Sequence, residues 1–194
     1  MSSLIFYKPY EVLSQFSESG TKKTLAHFFN DLSKDIYPVG RLDFDSEGLL
    51  ILSSDKQLSH QITDPKFEHP RTYYVQVEGA ISDKALKQLS DGVIIRIDGK
   101  DYRTKKAAAR LLEEIPELPK RTPPIRFRKS VPTSWISLRL TEGKNRQVRR
   151  MTAAVGFPTL RLVRYSIGEL NIQNMHPGDY ATLDTEQIRK ILRK

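Results

Sequence analysis

Three carboxylates, Asp43, Asp45 and Glu47, fall within five residues of one another in the segment GRLDFDSEGLLILSSD, residues 40–55. Carboxylates at that density can form an acid–base pair, supply a covalent nucleophile, or hold a hard cation. Paired-carboxylate glycoside chemistry needs a defined separation across a sugar, which spacing in sequence does not fix. A phosphotransferase-type Asp-x-Asp turn would not prefer the Ser46-Glu47 that follows, and three carboxylates with one glycine are too few ligands for a calcium-type loop. A purely structural turn, closed by Asp45 or Ser46 on its own backbone, fits the same residues. Composition narrows the choice. There is no cysteine, which excludes disulfides, thiolate zinc sites, iron–sulfur clusters and a cysteine nucleophile, and the four histidines show no paired ligand spacing. No metal site is expected.

The chain carries a net charge of +9 with a pI near 9.7. Between residues 116 and 164 twelve Lys and Arg stand against only Glu117 and Glu142, so one segment holds the whole excess. Phe127, Trp135, Phe157 and Tyr165 are interleaved with it. Such a block is the footprint of a polyanion-binding face, and nucleic acid is the expected partner, with a solvated basic surface as the plain alternative. Arg126, Arg128, Lys129, Lys144, Arg146 and Arg150 are the candidates for phosphate contact. The N-terminal apolar run MSSLIFYKPY is too short for a signal segment or a membrane span. A soluble, cytoplasmic protein with no membrane partner is expected, and 194 residues suit one domain or two subdomains.

The elements that must position these residues follow from patterning. Residues 4–7 (LIFY) read as a buried strand, and residues 24–30 show helical apolar spacing. Residues 48–52 (GLLIL) form a continuous apolar run, expected to be a central strand. Ser54-Asp55-Lys56-Gln57 opens a helix that Asp64-Pro65 stops after Ile62. Residues 72–78 alternate as a strand with Tyr73, Val75 and Val77 on one face, and Ser82 caps a helix to Leu89. Residues 107–114 (AAARLLEE) favour helix by propensity, with a strand as the alternative. Five prolines between 116 and 132 preclude a regular element. Residues 135–140 alternate as a strand. Asn145 can cap a helix with an apolar stripe of Val148, Met151, Thr152 and Val155, its Arg146, Arg149 and Arg150 on another face. Residues 160–167 return as a strand. Strands and helices alternate without the glycine-rich loops of a dinucleotide fold, which points to an α+β protein with a largely antiparallel sheet.

Three stretches carry a resemblance. GRLDFDSEGLLILSSD resembles the catalytic motif of the pseudouridine synthases, in the ribosomal RNA branch often called the RsuA family. FYKPYEVL is similar to that family's Lys-Pro opening strand, although members more often carry Asn before the Lys and Gly in place of Glu11. LRLTEGKNRQVRRMTAAVGFPTLRLVRYSIG resembles the family's Glu-Gly-x-x-x-Gln helix and the Leu-x-x-Arg strand behind it. The matching segments keep their order along nearly the whole chain. PPIRFRKSVPTSW points to the large-subunit members of the branch, as does a catalytic region starting within about five residues of Met1.

The resemblance implies the pseudouridine synthase fold, two subdomains sharing a bent sheet with the active cleft between them. It also implies a single catalytic domain over residues 1–194 without a separate N-terminal RNA-binding module. The implied activity is isomerisation of uridine to pseudouridine in ribosomal RNA, most closely that of the large subunit (23S). No cofactor is implied, and the enzyme is expected to be a monomer. Asp43 matches the essential aspartate, which attacks the ribose anomeric carbon or removes a sugar proton. Arg149 matches its basic partner, and Tyr73 the tyrosine that stacks on the target base, with Arg71 where a Lys is usual. Leu162 is expected as pocket wall and Arg164 among the RNA contacts, while Arg41 is placed to fill the gap left by a flipped uridine or to hold a phosphate beside it. A catalytically inactive ribosomal-RNA-binding or ribosome-assembly protein on the same fold is the alternative, and a small-substrate nucleosidase leaves the basic block unexplained.

Overall fold

Residues 2–125 and 130–192 are described in the computed structural model; Arg126, Arg128 and Lys129, expected at phosphates, lie outside them. The strands and helices are β1 (Ser2–Lys8), β2 (Val12–Leu13), β3 (Lys23–Thr24), β4 (Tyr37–Val39), β5 (Glu47–Ser53) and α1 (Lys56–Thr63). There follow β6 (Arg71–Glu78), α2 (Asp83–Asp91), β7 (Ile94–Ile97), β8 (Lys100–Arg103) and β9 (Ala108–Leu111). The chain closes with β10 (Thr133–Leu140), α3 (Gln147–Ala154), β11 (Thr159–Ile167), β12 (Leu170–Asn171), β13 (Tyr180–Asp184) and α4 (Thr185–Leu192). They form two compact units, Met1–His69 with Val163–Lys194, and Pro70–Leu162. The second boundary along the chain falls inside β11.

In the first unit β1 pairs antiparallel with β13 on one side and β5 on the other. Every residue of β5 is buried, which explains its unbroken apolar run. The far edge of β5 is divided: β4 pairs antiparallel with residues 51–53, and β11 pairs parallel at Val163↔Glu47 and Arg164↔Gly48. Gly48 makes that second pairing possible. Its φ is +110°, and a Cβ there would lie 2.3 Å from the Arg164 carbonyl oxygen. Leu4, Phe6, Leu25, Leu50 and Leu52 make the core, with the Phe6 ring 5.1 Å from that of Phe29. Asp55 caps α1 by accepting from the Gln57 and Leu58 amides, and its other oxygen takes the Arg189 guanidinium of α4 at 2.6 Å. Residues 24–30 depart from the helix expected there. Only a 3-10 turn, Leu25–His27, forms, because Phe28 and Phe29 pack around Phe6 instead of extending one helical face.

In the second unit β10 lies between β6 and β9, antiparallel to both. Val75, Val77, Leu89, Ile136, Leu138 and Met151 centre its core. Ser82 caps α2 through the Ala85 amide. Residues 108–111 are strand, not helix. The run pairs with β10, half-buried Ala107 and Ala109 alternate with exposed Ala108 and Arg110, and the Ala107 and Ala109 amides bond to Ser90. Sheet registry overrides propensity there. The hairpin β7–β8, which patterning does not disclose, turns at Asp98-Gly99, both at positive φ (48° and 79°), the geometry of a two-residue type I′ turn. Asn145 does not cap α3. The cap position is Arg146 in the left-handed region, and the Gln147 side chain accepts the Lys144 amide instead. The α+β, largely antiparallel character read from the sequence is therefore the fold found, with parallel pairing at β5–β11 and β2–β3. Among the described residues no helix is long and apolar enough to cross a membrane.

Candidate active site

The acidic segment sits at the entrance to β5 as a tight turn, closed by the Ser46 amide donating to the Asp43 carbonyl at 3.1 Å. Both neighbours of Asp43 are pinned. The Ser14 hydroxyl donates to the Leu42 carbonyl at 2.8 Å and accepts the Leu42 amide at 3.1 Å. The Glu11 amide donates to the Phe44 carbonyl at 2.9 Å. Residues 11–14 thus hold the backbone on either side of the carboxylate, while Asp43 itself is half-buried. Glu47 is buried inside β5, and Asp45 is half-buried at the turn.

Lys8 is a member of the site that sequence reasoning does not assign to it. It ends β1 on the face that Leu4 and Phe6 give to the core, and it is fully buried. Its Nζ donates to the Val12 carbonyl at 2.7 Å and the Pro9 carbonyl at 2.9 Å, fastening the 9–12 loop that in turn holds the acidic turn. Burial pulls its ammonium down to about 7; Glu47, Asp43 and Asp45 oppose the fall and Arg164 adds to it. A signal for it exists in the sequence. In LIFYK the period of two assigns the lysine to the core face, where a charge needs a stated purpose.

Arg164 is placed differently from the expectation of an RNA contact. It is 5% exposed, with Nε donating to the Leu49 carbonyl at 2.8 Å and an Nη to the Arg41 carbonyl at 3.4 Å. A guanidinium committed to two carbonyls of the acidic segment braces that segment, and its burial removes it from phosphates. Arg41 is exposed. Lys8, Arg41, Asp43 and Arg164 therefore belong to the first unit, and Tyr73, Arg149 and Leu162 to the second.

In the second unit Tyr73 is half-buried against the core, and Leu162 is buried within it. Arg149 is half-buried on α3, while Lys144 and Arg146 are exposed before and at the helix start. The Arg150 guanidinium is taken up internally, bonding to the Arg96 carbonyl and, at 3.2 Å, to Asn145 Oδ1. The start of α3 is fixed by Glu142, which is 5% exposed and accepts from the Tyr102 hydroxyl at 2.5 Å, the Lys105 amide at 2.8 Å and Gln147 Nε2 at 2.5 Å. The first of these hydrogen bonds pushes the Tyr102 phenol above its usual range. The Glu-Gly-x-x-x-Gln pattern is thus a brace for the helix that carries Arg149.

The family model described as RNA pseudouridylate synthase matches residues 2–154. The chain belongs to that family. A pseudouridine synthase relative from Xanthomonas campestris pv. campestris, named Ribosomal large subunit pseudouridine synthase E, is 48% identical over 188 residues, covering 96% of this chain and 97% of the relative. The Bacillus subtilis Ribosomal large subunit pseudouridine synthase B is 33% identical over 187 residues, covering 96% of this chain and 70% of the relative. A solved structure described as a pseudouridylate synthase superposes with a TM-score of 0.79 at 26% identity, covering 98% of this chain and 73% of its own. The pseudouridine synthase fold and enzyme class expected from the three motifs are those of this chain.

Proposed function

We propose that this chain converts uridine to pseudouridine in ribosomal RNA of the large subunit, with Asp43 as the catalytic carboxylate. The observation that carries the substrate is near full-length identity, 48%, to a protein named for that subunit. In the reaction the bond between ribose C1′ and uracil N1 breaks, the base turns, and C1′ joins C5. The hydrogen on C5 leaves to solvent and N1 takes a proton, so the product is an isomer and no cofactor enters the balance. Asp43 serves as nucleophile on C1′ or as base on the sugar, and both courses need it ionised and held still. The pinned turn supplies the fixed position.

The family motif gives Arg149 the part of cationic partner and Tyr73 that of stacking on the base. A guanidinium suits the first because it stays charged at every working pH and engages a carboxylate through two hydrogen bonds. Arg41 takes the space vacated by the flipped uridine or the phosphate beside it, against an unstacking cost of a few kcal/mol. Lys144 and Arg146, with Arg126, Arg128 and Lys129, hold phosphates. The chain acts as a single catalytic domain and a monomer in the cytoplasm.

The test is tritium release from large-subunit RNA labelled at uracil C5, comparing wild type with Asp43→Asn. Release by the wild type alone supports the reading. Retained binding with no release from either protein, on RNA of both subunits, would replace it with a non-catalytic RNA-binding role.

A further inference from the structure

The long basic block spans residues 116–164, yet a second run of cations lies before it. Residues 94–110 hold Arg96, Lys100, Arg103, Lys105, Lys106 and Arg110 against Asp98 and Asp101 only. All six are exposed. In the β7–β8 hairpin, Ile94 pairs with Arg103 and Arg96 with Asp101, which sets Arg96 and Arg103 on one face. The opposite face carries Ile95 and Tyr102 and packs on the core.

Attachment of this hairpin to α3 uses backbone atoms at the basic positions. The Arg150 guanidinium bonds to the carbonyl of Arg96, and Glu142 accepts from the amide of Lys105. Lys144 Nζ stands 5.0 Å from the centre of the Tyr102 ring, so the exposed start of α3 and the hairpin meet. Cations of two distant chain segments therefore lie near one another, Lys144 beside Tyr102 and Arg96 and Arg103 on the hairpin's other face, and the bonds that attach the hairpin do not consume the Arg96 side chain's charge.

We propose that the outer face of the β7–β8 hairpin, with the 103–106 segment after it, is a second RNA-binding surface that takes backbone phosphates. It deepens the reading of an RNA substrate and rests on it. A row of exposed cations recognises phosphate spacing without reading bases, so it adds affinity and not sequence choice. Its partner is RNA extending past the modified nucleotide, whose backbone phosphates run on from the start of α3 to the hairpin.

The experiment replaces Arg96, Arg103, Lys105 and Lys106 together by Gln and measures binding of a large-subunit RNA fragment across a salt series. The slope of log K against log salt should fall by about 3, at roughly 0.7–0.9 for each phosphate no longer neutralised. Exchanging the same four for the other basic residue (Arg96→Lys, Arg103→Lys, Lys105→Arg, Lys106→Arg) should keep the wild-type slope, which separates charge from folding. A control removing four exposed lysines of the first unit (Lys23, Lys34, Lys56 and Lys190 to Gln) should change it little. An unchanged slope in the hairpin variant, or an equal drop in the control, overturns the proposal. Failure of the isomerisation reading would show separately, as absent tritium release from a wild type that still binds.

Discussion

The two units of this chain use charge in opposite ways. Residues 1–69 with 163–194 contain 12 Lys and Arg against 14 Asp and Glu, whereas residues 70–162 contain 20 against 9. Around Asp43 three charged groups are inside, Lys8, Glu47 and Arg164, each 5% exposed or less. On the second unit Arg96, Lys100, Arg103, Lys144 and Arg146 stand in water. Buried charges are little screened and hold their neighbours to one geometry, while exposed cations act through released counterions and weaken with salt. One unit fixes a carboxylate among buried charges, and the other presents the exposed cations for which RNA phosphates are proposed.

The largest effect should come from Asp43→Asn, which keeps the shape of the turn and removes the charge. Turnover, read by tritium release, should drop to background while RNA affinity stays within a few-fold, because most of the proposed phosphate contacts lie in the other unit. A large loss of binding would break the division of labour. The mirror-image change is Glu142→Ala in the second unit. It leaves the Tyr102 hydroxyl, the Lys105 amide and Gln147 Nε2 without their buried acceptor, costing about 3 kcal/mol of stability. Urea unfolding would check it, and Glu142→Gln, which keeps an acceptor oxygen, should lose less.

Much of this contrast is legible in the sequence, and the exceptions have physical causes. The acidic turn, the apolar run behind it and the cap at Ser82 are local, whereas the capping box read over Ser54–Gln57 is replaced by Asp55 as the cap of α1. Residues 107–114 favour helix by propensity and leave strand open, because the partner strand begins more than twenty residues after Leu111 and propensity knows nothing of that edge. Arg164 has the sequence context of one more cation in a basic block. Its burial follows from the close approach of β11 to Gly48, which no charge count reveals. Lys8 belongs visibly to a motif but not to the site, since its bonds to the 9–12 loop exist only once that loop has folded back.

Lys8 sharpens the comparison through pH. Its pKa falls from the ordinary lysine value of 10.5 to about 7 on folding, chiefly through burial. Between those limits the unfolded chain binds the more protons, so this group's contribution to stability rises with pH from about 7 upward and is flat below. From pH 7 to 8.5 the gain should be about 2 kcal/mol. Lys8→Met should lack it, as unfolding in urea at the two pH values would show. An identical pH response in the variant would mean that some other group titrates.

The smallest effect tests whether fixing the turn matters to chemistry apart from stability. Ser14→Ala removes one side chain that both donates to and accepts from Leu42, next to Asp43 in sequence. Stability should fall by about 1 kcal/mol, since the Leu42 amide and carbonyl stay buried, each short of one hydrogen bond. If the clamp only stabilises, kcat measured well below the unfolding transition will match the wild type. If it positions the carboxylate, kcat should fall several-fold with KM unchanged, because the exposed cations proposed to hold RNA are untouched. Ser14→Thr, which keeps the hydroxyl, should restore most of the lost rate.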